Sequence, residues 1–223
     1  MAIAELAILV RAPSSGGVKT RLAERLGVEG ARALYEAFVS DVLSLGERVR
    51  DAGDVELALW ATEVDDPIVS EWARRIDVSA RRQPDGDLGA RMATALEEGL
   101  RDHERVVLIG SDLPTLPFAL AVRAFDALAH APMAIGPAQD GGYYAFGATQ
   151  MARPCFDRVR WSTRNALRDT LSVNAGAEVA LLSPWYDVDE PDDLDILWAH
   201  LSTNPKAAPA TARCLSRVDA AQR

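Results

Sequence analysis

The stretch that decides the fold runs from Glu5 to Leu22: ELAILV at 5–10, then RAPSSGG at 11–17, then VKTRL at 18–22. A short apolar run bounded by turn residues reads as a buried strand. The Pro-Ser-Ser-Gly-Gly segment breaks it into a loop, and the spacing predicts that Lys19 and Arg21 open a helix. Adjacent glycines let a backbone approach a ligand closely, and a helix N-terminus offers free N–H groups and partial positive charge. With Arg11, Gly16, Gly17, Lys19 and Arg21 on it, the loop suits phosphate oxygens. A solvated basic turn is the competing reading. The pattern is neither GxxxxGK[ST] nor GxGxxG.

Working outward, strand-like runs alternate with helical patterns for most of the 223 residues, which predicts a single α/β domain with a mostly parallel sheet and helices on both faces. Ala31, Leu34, Tyr35, Phe38, Val42 and Leu45 keep helical spacing. Strands are expected at 55–60, 76–80, 106–109, 133–135 and 179–182, and helices at 66–75, from 88, 117–130, 164–172 and 191–201. Asp140-Gly141-Gly142 before Tyr143–Phe146 reads as a turn into a strand antiparallel to its neighbours. Residues 1–202 form the expected domain. The Ala-, Pro- and Arg-rich segment 203–223 reads as a flexible tail.

Composition narrows the partners. A net charge of −9 disfavours a nucleic-acid backbone. No apolar run is long enough for a membrane span, and no basic-flanked leader is visible. Cys155 and Cys214 make neither a metal spacing nor a disulfide framework, which suits a cytoplasmic protein. A small anionic ligand is the partner expected.

The acids supply the rest of the chemistry. Asp112 follows the buried run 106–109, where ligands of open α/β sheets bind, although a Ser-Asp turn explains it equally well. DVDEPDDLD at 187–195 packs six acids into nine residues. Pro191 at the first helical position would put Asp192 and Asp193 at a helix start, which accounts for them. Asp187 and Asp189 precede that helix and share a side if the chain is extended. With Asp112 they make a hard-oxygen set suited to Mg²⁺ or Mn²⁺. Gln83, Gly86 and Arg91 lie in a polar loop able to read a base or ribose, with Asp87 as a helix cap. Asp140, Gly141 and Gly142, with Trp161 and Ser162, are candidates for an acceptor pocket, against plainer readings as a hairpin turn and a packed loop anchor. No nucleophile–base pair stands out, since His103, His130 and His200 lie in helical stretches away from these loops.

As a set, GGVKTRL (16–22), GDLGARM (86–92), LIGSDLPTL (108–116), IGPAQDGGYYAFG (135–147), RWST (160–163) and DVDEPDDL (187–194) resemble a bacterial family of the GT-A, nucleotide-diphospho-sugar transferase superfamily. That family is named as glycosyltransferase-like and related to the phospholactate guanylyltransferases of cofactor F420 biosynthesis. The resemblance covers about residues 5–200. It implies a Rossmann-like GT-A domain, with Lys19 and Arg21 on a triphosphate and Asp112 and Asp189 on Mg²⁺. Glu190 stands where the late motif commonly has Thr, and the first loop lacks the longer GGxGxR form. The expected activity is Mg²⁺-dependent nucleotidyl transfer from a nucleoside triphosphate to a small phosphate or phosphonate acceptor, with Lys19, Arg21 and Asp112 as the catalytic set. Glycosyl transfer from a nucleotide sugar is the alternative, and an idle nucleotide-binding module the third. A homodimer is compatible with either enzyme.

Overall fold

The computed structural model describes residues 3–150 and 155–221. Seven strands form one sheet: β1 (Ala4–Val10), β2 (Val55–Ala61), β3 (Ala80–Arg82), β4 (Arg105–Ile109), β5 (Met133–Pro137), β6 (Tyr143–Ala148) and β7 (Val179–Leu181). Their spatial order is β3-β2-β1-β4-β6-β5-β7. All neighbours run parallel except β6, which is antiparallel to both β4 and β5. The DGG turn at 140–142 therefore does produce the expected reversal. The chain steps from β1 outward through β2 to β3, then returns to place β4 on the other side of β1. That reversal opens a crevice between β1 and β4 beyond their carboxyl ends.

Helices cover both faces, as the alternation of apolar runs implied. On one face lie α1 (Ala23–Ala52), α2 (Pro67–Arg75) and α4 (Phe118–Ala127), packed through Tyr35, Val42, Trp72 and Phe125 onto Leu6, Ile8 and Val107. On the other lie α3 (Leu88–Asp102) and α5 (Ala166–Val173), with Met92, Leu96 and Leu171 against Trp60, Leu108 and Phe146. Local chemistry sets several boundaries. The Asp66 carboxylate accepts from the N–H groups of Ile68 and Val69 ahead of Pro67, and Asp87 accepts from Ala90. Gly46 lets α1 approach closely, since a Cβ there would stand 3.0 Å from Ile8.

Four expectations need correction. Lys19 and Arg21 do not open a helix: α1 begins at Ala23, and Lys19 sits in a turn with φ of 53°. The third strand lies at 80–82 rather than 76–80, because the buried Ile76 closes α2 and Asp77 turns the chain with φ of 58°. The helix expected from Pro191 begins two residues later as α6 (Asp193–Thr203). The Asp193 carboxylate accepts from the N–H groups of Asp189 and Glu190 and holds 189–192 as a turn. Finally, 203–223 is not a flexible tail throughout. Residues Pro209–Ala221 form α7, whose first N–H groups, from Ala210 and Thr211, meet the buried carboxylate of Asp41 in α1. Leu215 and Ala208 complete a third core cluster with Phe38, Leu34 and Leu197. The last two residues of that segment lie outside the described residues. Among the described residues no helix is long and apolar enough to cross a membrane.

Candidate active site

The loop after β1 is tied down before it reaches the crevice. Arg11 N–H donates to the Tyr35 hydroxyl at 2.8 Å, Ala12 N–H to Thr62 Oγ1 at 2.9 Å and Ser14 N–H to Asp66 Oδ2 at 3.0 Å. Tyr35 returns a hydrogen bond to the Arg11 carbonyl and lies 3.2 Å from Ser111 Oγ, so one phenol spans the ends of β1 and β4. Burial pushes its pKa well above the usual tyrosine range. Tyr35, Thr62 and Asp66 were not among the sequence candidates. Tyr35 reads as one more apolar position on its helix and Asp66 only as the start of one, so nothing local marks their second role.

Beyond these anchors the loop turns through Gly16 and Gly17, with φ of 73° and 71°. A Cβ on Gly16 would meet nothing within 4 Å, so the loop borders open space. Lys19 then drives inward. Its Nζ lies 2.7 Å from Asp112 Oδ1 and 2.5 Å from Asp189 Oδ1, and donates to the Val188 carbonyl at 2.7 Å. The two acids are brought together by backbone: Val188 N–H donates to the Asp112 carbonyl at 2.8 Å, stitching the late acidic segment to the end of β4. The Lys19 side chain is 5% exposed, while Asp112 and Asp189 keep 38% and 42% of theirs open. Burial opposes charge on Lys19, but Asp112 and Asp189 together outweigh it and raise its pKa. Burial raises the pKa of Asp112, more than Lys19 lowers it.

Arg21 points elsewhere. It is exposed and pairs with Glu190 at 2.6 Å, on the rim of the same crevice. Asp187, half-buried beside Asp140 and Asp189, is pushed up to about 7, first by burial and then by those two carboxylates.

The other candidates line the same end of the sheet with mixed roles. Gln83 is buried and gives its amide hydrogens to the carbonyls of Val10 and Trp60, so it staples β1 to β2 rather than presenting that amide to a ligand. Arg91, in the first turn of α3, reaches the Gln83 carbonyl oxygen at 3.5 Å, and its buried Nε has no partner among the described residues. Gly86 turns with φ of 124°. Asp140 closes its own turn by accepting from Gly142 N–H at 2.7 Å, and Gly141 sits against the Arg164 backbone. Trp161 packs edge-on against Tyr143 and Phe156 and lies over Gly89, which is the packed-anchor reading. Ser162 is exposed with φ of 56°. Beside Gly141 an open cleft of about 540 Å³ is lined by Arg164, Arg168, Leu167, Leu171 and Ser172.

Among the described residues no group of three or more His, Cys, Asp or Glu side chains is arranged around a metal position. Asp112 and Asp189 nevertheless converge on one point, marked by Lys19 Nζ. Mg²⁺ needs only one or two carboxylates when substrate phosphates supply further ligands, so the donor set fits in type and number.

A crevice at the point where strand order reverses, edged by a Gly-Gly loop and two converging acids, places the protein in the nucleotidyltransferase and GT-A-like class of α/β folds. Residues 45–163 match the family DUF2064, described as "Uncharacterized protein conserved in bacteria", and the chain belongs to that family. No curated protein sequence matches it significantly. Among solved structures, a "putative nucleotide-diphospho-sugar transferase" from Desulfovibrio desulfuricans G20 is 32% identical, with a TM-score of 0.88 over 99% of this chain and 96% of that one. A cytidylyltransferase from Leptospira borgpetersenii is 14% identical, with a TM-score of 0.61 over 100% and 96%. The 4-diphosphocytidyl-2C-methyl-D-erythritol synthase of Anaerococcus prevotii is 13% identical, with a TM-score of 0.58 over 89% and 95%. The last two likenesses concern the fold alone.

Proposed function

We propose that this protein is a Mg²⁺-dependent nucleotidyltransferase that moves a nucleotidyl group from a nucleoside triphosphate to a small phosphate- or phosphonate-bearing acceptor. Broadly, it is a transferase that handles nucleotides. One observation carries the finer reading: a lysine and two carboxylates from three separate loops meet beneath a Gly-Gly turn at the β1–β4 crevice. An anionic acceptor oxygen would form a bond to the α-phosphorus as the bond from that phosphorus to the bridging oxygen breaks, and pyrophosphate would leave. An acceptor that is already ionised gives up no proton, which fits a site without a histidine base. Mg²⁺ or Mn²⁺ held by Asp112 and Asp189 would supply phosphate-charge neutralisation. The Gly16–Gly17 backbone, Lys19 and Arg21 would hold the polyphosphate, and Arg11, Gly86 and Arg91 would flank the nucleoside. The arginines of the cleft beside Gly141 suit the charge of the acceptor.

Glycosyl transfer from a nucleotide sugar is the second reading, favoured by the name given to the Desulfovibrio relative. Phosphorus NMR separates the two. Incubation with each triphosphate, Mg²⁺ and a panel of phosphorylated acceptors should release pyrophosphate. Guanosine triphosphate comes first in that panel because the motifs resemble a family related to the phospholactate guanylyltransferases. Nucleoside diphosphate released from a nucleotide sugar, with no pyrophosphate from any triphosphate, would transfer the assignment to the second reading. Nucleotide binding with neither product would mark an idle module.

A further inference from the structure

The sequence assigns Lys19 to nucleotide phosphate, yet the structure commits it elsewhere. An ammonium has three hydrogens to donate. The Val188 carbonyl and Asp189 accept two of them, and Asp112 Oδ1 is ion-paired with the same ammonium at 2.7 Å without hydrogen-bond geometry. With its side chain only 5% exposed, Lys19 has no open side to turn to a phosphate oxygen in this arrangement. The ammonium is also enclosed, whereas both carboxylates keep open surface facing outward. Lys19 can therefore serve the acids or the polyphosphate, but not both at once.

We propose that Lys19 is a built-in counter-ion: it occupies the cation position between Asp112 and Asp189 in the nucleotide-free protein and leaves it when a divalent cation enters. This rests on the reading of Asp112 and Asp189 as metal ligands. Three further observations support it. Lys19 and Lys206 are the only lysines among 24 Lys and Arg residues, so this chain places a compact, point-like ammonium where nearly all its other cations are planar guanidiniums. A point charge can sit between two carboxylates as a metal ion does, whereas a guanidinium fork spreads its charge over a plane. Lys19 also holds a left-handed backbone conformation that costs a non-glycine residue energy, and Gly16 and Gly17, both at positive φ, lie just upstream. The turn is thus strained at the lysine and permissive beside it, which suits a segment with two resting places. Finally, one positive charge between two carboxylates leaves the trio carrying one net negative charge. A doubly charged ion matches that field better.

The consequence is reciprocal coupling. A metal ion alone must displace Lys19, so its affinity for the free protein is low. Nucleotide phosphates give the displaced ammonium a new partner, so nucleotide and metal each raise the affinity of the other by the same factor.

The test measures Mn²⁺ binding to nucleotide-free protein by the electron paramagnetic resonance signal of unbound Mn²⁺. Lys19→Met should bind Mn²⁺ about tenfold more tightly than wild type or better, the scale of an ordinary coupling between sites. Asp112→Asn should lose that binding. Equal or weaker affinity in Lys19→Met, with Asp112→Asn still abolishing binding, would overturn the exchange and leave the metal reading standing. No binding to wild type or Lys19→Met would remove both. Lys19→Met leaves two facing acids and can fold poorly, so wild-type protein labelled with ε-¹³C lysine gives an independent readout. Only two signals arise, and Lys206→Arg identifies the exposed one. Titrating Mg²⁺ to saturation should move the Lys19 signal toward that of a solvated lysine. A Lys19 signal that stays in place throughout would refute the exchange.

Discussion

Asp187→Asn should stabilise the protein, and the gain should grow with pH. The Asp187 carboxyl is half-buried beside Asp140 and Asp189, and its pKa rises from 3.8 to about 7, chiefly through burial. The native state therefore holds a proton that the unfolded chain has already released, and stability falls as pH rises from about 4 to about 7. Below that window both states are protonated and the group contributes nothing; above it the full penalty stands. Three pKa units at about 1.4 kcal/mol each set a ceiling of about 4 kcal/mol. Screening at a position still partly open to water reduces this to about 1–2 kcal/mol. Asparagine keeps the shape and removes the charge. Urea unfolding at pH 5 and pH 8 should show a small difference at the lower value and about 1–2 kcal/mol in favour of the variant at the higher. For a chain of this length that is a rise of roughly 2–8 °C in Tm. A gain independent of pH, or a loss at pH 8, would refute the placement of Asp187 in a desolvated acidic cluster.

Three other substitutions probe the scaffold of the site. Gly141→Ala adds a Cβ that would stand 2.2 Å from the Arg164 carbonyl at a φ of 90°, so the 140–142 turn and the 160–165 loop must part. A loss of about 2–4 kcal/mol in urea unfolding is expected, and a loss under about 0.5 kcal/mol would mean the two loops do not interlock. Tyr35→Phe leaves Arg11 N–H without its acceptor and should cost about 1–3 kcal/mol. Nucleotide-induced thermal shifts should shrink with it; unchanged stability and shifts would deny the phenol its role under the loop. Asp41→Ala removes both acceptors at the start of α7 and should cost about 1–2 kcal/mol. Faster amide exchange confined to 209–221 is the matching signature, and unchanged protection there would refute the cap.

Much of this architecture was legible because it rests on local patterns. Strand β1, the apolar stripe of α1, the cap at Asp87 and the reversal at Asp140–Gly142 follow from periodicity and turn chemistry alone. Helix α7 was not, because it lies in a segment whose Ala-, Pro- and Arg-rich composition reads as a tail. Its burial comes from α1 and its cap from Asp41, 169 and 170 residues away from the N–H groups it accepts. The start of α6 slipped for a similar reason. Pro191 and Asp192 fit a helix start, but Asp193 takes the N–H groups of Asp189 and Glu190 and shapes a turn before the helix can begin.

The site divides along the same line. Residue types and order pointed to Lys19, Asp112 and Asp189, and the fold does bring these three together. What no spacing could show was the direction of Lys19. A glycine-rich loop before a helix suggests an outward-facing cation, and only the left-handed turn at Lys19 converts it into an inward-facing one. Arg21, two residues on and paired with Glu190 at the rim, keeps the outward role. The two cations are therefore not redundant. On the proposed reading, Arg21 would meet an arriving polyphosphate while Lys19 still neutralises the acids, and entry of a divalent cation would free Lys19 to join it. An arginine at position 19 could not make that exchange, because its planar fork cannot sit at a single point between two carboxylates and its bidentate grip would resist release.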